Sequence, residues 1–181
     1  DDACREASNQ EIIRRYYAAL NGLAEGTAQE EEAFKIELLM KQAHITVEDR
    51  KVVDAALKRA EETNGPAAAM ELPNGQIITG KTSCLLGASS ALLLNALKNL
   101  AGLNDELHLI SPSVIEPIQK LKTEYLGSIN PRLHTDEILI ALSICAATDD
   151  NAKLALEQIP KLSGCQAHTS VMLSSVDIKQ F

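Results

Sequence analysis

Aromatic residues are nearly missing from this 181-residue chain: it has no Trp, two Phe and three Tyr. With 45% of its residues apolar, the core must be built from Leu, Ile, Val and Ala. A base-stacking surface, which interleaves aromatic and basic side chains, is excluded. Positive charge is also short. The formal net charge of −8 argues against binding to a phosphate backbone, which attracts a surplus of Lys and Arg. No membrane span is expected, because the longest nearly apolar run, CLLGASSALLLNALKNLAG, is interrupted by Ser, Asn and Lys. DDACREASNQ has no apolar stretch of the kind an export signal needs. Four cysteines (Cys4, Cys84, Cys145 and Cys165) lie far apart without short-spaced pairs, so they read as reduced thiols of a cytosolic protein. SSVDIKQF reads as a helix cut short, which suggests a fragment.

The chain is long enough for one domain or two small ones. Residues 1–64 read as a helical subdomain of three helices. Ile12, Ile13, Tyr16, Leu20 and Leu23 recur at helical spacing, Phe34, Leu38 and Leu39 mark a second helix, and Thr46 caps a third running through VEDRKVVDAALKRAEE. Asn64-Gly65-Pro66 closes the unit. Residues 65–181 read as an α/β (α+β) subdomain. AAAMEL and QIIT flank Pro73-Asn74-Gly75 as a hairpin, for which a type I′ turn is predicted. A helix is expected over 85–100, a strand over 106–111 (ELHLIS), and helices over 113–126, 135–147 and 151–159. CQAHTSVMLS is the predicted last strand. The predicted architecture is a three-layer α/β/α sandwich in the manner of the cytidine deaminases.

GQIITGKT, residues 75–82, satisfies the phosphate-binding pattern G-x-x-x-x-G-K-[ST]. A phosphate cradle must curl so that successive N–H groups converge. Gln76, Ile77, Ile78 and Thr79 instead favour an extended strand, which would hold the two glycines about 17 Å apart. Two readings of Gly80-Lys81-Thr82-Ser83 remain open. Ser83 or Thr82 caps the following helix with Lys81 solvated, or the helix start binds an anion through its free N–H groups.

Zinc-deaminase chemistry needs a His or Cys two residues before a Glu, then Pro-Cys-x-x-Cys. Gly87-Ala88-Ser89-Ser90-Ala91 and Pro112-Ser113-Val114-Ile115-Glu116 supply neither, so no metal is expected, and no cofactor is implied. Cys165 and His168 have a metal-like spacing but point to opposite faces of a strand. His108 reads as a packed strand residue. His134, just before Thr135-Asp136-Glu137, is either a loop residue at a helix cap or a group facing a cleft. Ser111, Pro112 and Ser113 follow a predicted strand, where open α/β sheets bind ligands, and Glu116 could reach the same crevice.

Long blocks of the chain, among them ASNQEIIRRYYAAL, LPNGQIITGKTS, LLGASSALLLNALK, HLISPSVIEPIQ, NPRLHTDEILIALSICAAT and GCQAH, resemble the bacterial domain-of-unknown-function family 1846. The resemblance runs over essentially the whole chain. It implies a cytosolic protein with longer full chains, of which this would be the C-terminal portion, and an acidic residue where this sequence has Cys84. It implies no reaction. The expected function is binding of a small anionic or phosphate-bearing molecule by Lys81, Thr82, Ser83, Ser111, Glu116 and His134. The expected partner is the N-terminal part of the same protein. The alternative is a structural or oligomerisation module, with a homo-oligomer as its product.

Overall fold

The structure, a computed structural model, describes residues 2–178. The chain divides into two compact units, one ending at Asp54 and one beginning at Ala55.

The first unit contains α1 (Asp2–Glu25) and α2 (Glu30–Ala43), which pack on each other. Gly26, with φ of 72°, turns the chain between them, and the Thr27 and Ala28 amides donate to the Gly22 carbonyl at 2.8 and 3.1 Å. Ile13, Ala19, Ala33 and Met40 are buried, while Leu20, Phe34, Leu38 and Leu39 are exposed. The third predicted helix is broken. Val47–Asp49 forms a 3₁₀ turn, in which the Asp49 carboxylate accepts from the Thr46 amide at 2.6 Å. Arg50 then leaves the helical region at φ −90° and ψ 109°, and its buried guanidinium donates to the Gln10 carbonyl. Only from there does α3 (Lys51–Thr63) run, and the boundary between the units falls within it.

The second unit is built on a three-stranded antiparallel sheet in the order β2-β1-β3: β1 is Ala67–Glu71, β2 Ile77–Lys81 and β3 Gln166–Thr169. The β1–β2 hairpin forms as predicted, with Ala67 opposite Lys81 and Glu71 opposite Ile77, but its turn is not type I′. A type I′ turn on Asn74-Gly75 requires positive φ at both residues, and Asn74 does not take it. The Gly75 amide instead donates to the Leu72 carbonyl at 2.8 Å, closing a turn over Pro73 and Asn74, and Gly75 alone takes positive φ (80°). The Asn74 side chain accepts from the Gln76 amide at 3.0 Å and completes the loop.

One face of the sheet carries Ala68, Met70 and Leu72 against Ala88, Leu92 and Ala96 of α4 (Ala88–Leu100). Gly80 lets α4 come this close. A methyl group there would overlap the Leu92 nitrogen and lie 2.5 Å from its Cα and 2.7 Å from the Ala88 carbonyl oxygen. The Asn95 amide donates to the Thr79 carbonyl at 3.0 Å, occupying a group on an otherwise free sheet edge. The far side of α4 enters a second core of Leu93, Leu97, Leu109, Ile115, Ile138 and Leu142. There α4 meets α6 (Thr135–Cys145) and α7 (Asp150–Leu156), and Ile115 comes from α5 (Pro112–Lys120). A helix buried on both sides is apolar all round, as ALLLNAL is.

The predicted α+β class holds at this coarser level, of helices with a small three-stranded antiparallel sheet. Residues 106–111 are not a strand: Leu109 and Ile110 are buried as adjacent residues rather than alternating, and His108 is exposed. The Asn104 side chain and carbonyl accept the Glu106 and Leu107 amides, so the segment turns instead of extending. Among the described residues β1 pairs only with the antiparallel neighbours β2 and β3. α7 opens one residue before the expected start and ends at Leu156, with the Asp149 carboxylate accepting the Asn151 and Ala152 amides. Of the helix expected in SSVDIKQF, Ser175–Ile178 forms α8, and residues 179–181 lie outside the described residues. No described helix is long and apolar enough to cross a membrane.

Candidate functional site

The GQIITGKT segment has no phosphate cradle. Gly75 serves the hairpin turn and Gly80 the contact with α4, at the two ends of an extended stretch. The Thr82 amide is committed to the Pro66 carbonyl at 2.9 Å and the Ser83 amide to the Leu86 carbonyl at 2.9 Å. Nor is this the start of a helix. The Ser83 hydroxyl accepts from the Leu85 and Leu86 amides at 3.2 and 3.1 Å, which makes a local turn, and α4 begins only at Ala88. Helix-cap and helix-start anion readings of residues 80–83 both fall for that reason. Lys81 is exposed and makes no ion pair among the described residues.

The turn at 83–86 is fastened instead to the chain just before α6. Leu86 forms a parallel bridge with Leu133, the Leu133 amide donates to the Leu85 carbonyl at 3.0 Å, and the buried Ser90 hydroxyl donates to the Leu133 carbonyl at 2.8 Å. On the next residue back, Arg132 Nε donates to the Ser83 carbonyl at 2.7 Å. Ser83 and His134 are thus brought to neighbouring segments with a guanidinium between them in sequence. Gln119 of α5 adds a bond to the Cys84 carbonyl at 3.0 Å. Ser111 caps α5 in the extended region and its hydroxyl pairs with that of Ser113 at 2.6 Å; Glu116 is exposed. Among the described residues no hydrogen bond joins Lys81, Ser111 or Glu116 to His134.

His134 stands at the N-cap of α6 and is held by Glu137 and Asp177. Its amide donates to Glu137 Oε2 at 2.7 Å, and Glu137 also takes Lys122 Nζ at 2.8 Å. Lys122 is buried because α5 runs directly into a π-helical turn, Leu121–Tyr125, which carries its side chain inward to the Arg132 carbonyl at 2.7 Å. The second tie is Asp177 of α8. Its carboxylate lies 3.1 Å from His134 Nδ1 and accepts from the Thr135 amide (3.1 Å), the Thr135 hydroxyl (2.9 Å) and the Ser174 hydroxyl (2.9 Å). Burial pushes the Asp177 carboxyl upward. The Thr135 amide, His134, and the Thr135 and Ser174 hydroxyls together outweigh it and hold the group below the usual Asp value. The first amides of α6 are accordingly taken by the protein's own carboxylates, Thr135 by Asp177 and Glu137 by Asp136.

Cys165 packs with Ala167 in the α4-facing core, and burial raises its thiol pKa; His168 pairs with Ala69, on the other side of the strand from Ala167. Asp177 and Lys122 carry no signal in the sequence that joins them to this place. Asp177 is 43 residues from His134, and only the capping pattern of Thr135-Asp136-Glu137 marks the position where it docks.

Residues 48–181 match the family described as domain of unknown function DUF1846, C-terminal, and residues 1–44 match its N-terminal counterpart. The chain is 59% identical over 98% of its length to a UPF0371 protein of Corynebacterium aurimucosum, 55% identical to one of Corynebacterium diphtheriae and 51% to one of Streptococcus thermophilus, each over the same share. It spans 36% of the length of these curated relatives. The expectation of a purely C-terminal portion is corrected by the N-terminal match, which covers α1 and α2. With both matches running in order along it, the chain belongs to the DUF1846 family.

Proposed function

We propose that this chain carries a binding site for a small phosphate- or carboxylate-bearing molecule, as part of a longer cytosolic protein. The observation that supports it is the fastening of the 83–86 turn to Arg132 and Leu133, the residues just before His134, which sets Ser83 beside Arg132, with exposed Lys81 two residues before Ser83. Recognition would come from cationic and hydroxyl side chains, since the nearby backbone amides are already bonded. Ser111 and Glu116 remain candidates for the rim. Thermal unfolding against nucleotides, phosphosugars and carboxylates tests the reading, with Lys81→Ala and Arg132→Ala beside the parent. A ligand at 100 times its Kd adds about 2.7 kcal/mol. For a chain of this size that raises the midpoint by roughly 5–10 °C. A flat panel, or shifts unaltered by both substitutions, sinks it.

A second reading, a structural or oligomerisation module, is favoured by the first unit. Exposed Phe34, Leu38 and Leu39 lie on α2, and a groove of about 600 Å³ lined by Ile12, Ala19, Ile36 and Leu39 runs between α1 and α2. A second copy, or the remainder of the longer family chain, would cover this face. Light scattering decides for the chain alone: a dimer that Phe34→Ser and Leu38→Ser return to monomer supports self-association, and a monomer at high concentration counts against it.

A further inference from the structure

The imidazole of His134 is set up differently from the other histidines. His44 and His108 are exposed, and His168 is a strand residue opposite Ala69. His134 has Nδ1 at 3.1 Å from a carboxylate that three other donors hold in place. An ionised carboxylate only accepts, so the shared proton belongs to Nδ1, and in the neutral imidazole the lone pair is then on Nε2. The His134 side chain is 26% exposed and that of Asp177 12%, so the imidazole is the more open member of a half-buried pair. The other charged groups at this place are already engaged. Glu137 binds Lys122 and the His134 amide, Asp136 takes the Glu137 amide, and Arg132 Nε binds the Ser83 carbonyl.

We propose that His134 is a proton-accepting residue working through Nε2, with Asp177 as its positioning residue, toward a hydroxyl-bearing phosphate or carboxylate. The substrate class rests on the site proposed above; the dyad itself does not. In the step, the ligand O–H bond breaks and its electron pair stays on oxygen. A new N–H bond forms at Nε2, and the resulting imidazolium is stabilised by Asp177, which stays ionised. Ser174 is not a nucleophile of this pair. Its hydroxyl donates to Asp177 and lies 3.4 Å from the same Nδ1, on the side away from Nε2, so no acyl-transfer triad is formed.

Two-bond ¹H–¹⁵N correlation spectra of the histidines, together with diethyl pyrocarbonate modification, test the proposal on the whole chain. The expected result at neutral pH is the Nδ1–H tautomer for His134 and rapid carbethoxylation of its Nε2. In Asp177→Asn the side-chain amide donates to Nδ1, the tautomer inverts, and modification slows by on the order of tenfold or more. An Nε2–H tautomer in the parent overturns the proposal. So does an Nε2 that resists the reagent while exposed His44 reacts, because the pair is then sealed and structural. Both decisive readings are made on the parent, so a poorly folded Asp177→Asn does not blunt them; Ser174→Ala should keep the parent tautomer. Titration with inorganic phosphate separates the two ideas. A reactive Nε2 whose resonances ignore phosphate removes the anionic substrate class, whereas an unreactive Nε2 beside a Lys81-dependent phosphate response removes the proton acceptor alone.

Discussion

Replacing Gly80 with Ala should damage the second unit although it adds only a methyl group to a strand. Strand propensity alone predicts a gain, since Gly in an element interior costs roughly 0.5–1 kcal/mol relative to Ala. The structure predicts the opposite sign. The new methyl would stand 2.5 Å from Leu92 Cα and 2.7 Å from the Ala88 carbonyl oxygen, whereas carbon atoms in contact settle about 3.5–4.0 Å apart. These are backbone atoms, so no rotamer change relieves the overlap, and α4 must retreat by about 1 Å. Because α4 lines both cores, the retreat loosens the contacts of Leu92 and Ala96 with the sheet and of Leu93 and Leu97 on its far side. Overpacking of this kind costs about 3 kcal/mol or more, which leaves a net loss of about 2–3 kcal/mol after the propensity gain. The thermal midpoint, followed by circular dichroism, should fall by roughly 5–10 °C. Trimming the Leu92 side chain in Gly80→Ala/Leu92→Ala should not rescue it, because the clash is with the Leu92 main chain. A midpoint equal to or above the parent's refutes the close approach of β2 and α4.

Gly75→Ala tests the hairpin turn. At φ 80° an Ala is strained, and a loss of about 1–2 kcal/mol in urea unfolding is expected, smaller than at Gly80. Lys122→Met leaves Glu137 without its cation; Lys122 is 8% exposed and Glu137 26%, so the loss should sit at or just below the low end for buried pairs, about 2–3 kcal/mol. Asp177 supplies a pH signature. Its folded carboxyl lies below the unfolded value, so its contribution is fully present above the unfolded pKa, near 4, and is lost as pH falls through the folded one. Unfolding free energy of the parent should therefore drop more steeply than that of Asp177→Asn below about pH 4, and parallel curves would remove the carboxylate from the interaction.

Local chemistry made the hairpin, the helical character of residues 1–64 and the starts of α6 and α7 legible in the sequence. Pro73-Asn74-Gly75 has to turn, and Asp149 has to cap. The misreadings share a cause, which is competition from a neighbour that pattern does not weigh. Pro73 suits the second position of a turn over Leu72–Gly75, which forms in place of the one Asn74-Gly75 favours. The Ser83 hydroxyl satisfies Leu85 and Leu86, delaying α4 to Ala88, and Arg50 breaks the third helix to reach Gln10. Leu109 and Ile110 resemble a strand because they are apolar, yet their burial comes from a loop entering a helical core. Of the candidate site, His134 could be singled out by its place before a helix. Its partner could not, since no periodicity links position 134 to position 177.

The π-turn at Leu121–Tyr125 makes chain length itself a determinant of this region. One residue more than a regular helix needs is accommodated there. Removing Leu121 would leave the composition nearly unchanged and improve the helix as a helix. It would also rotate the residues beyond the deletion by about 100°, the turn angle per residue. The ammonium of Lys122 would then no longer face Glu137 and the Arg132 carbonyl, and the segment that presents His134 would lose its inner anchor. A register change of one position in α5 would in this way reach a histidine nine residues past the turn without altering any residue it touches.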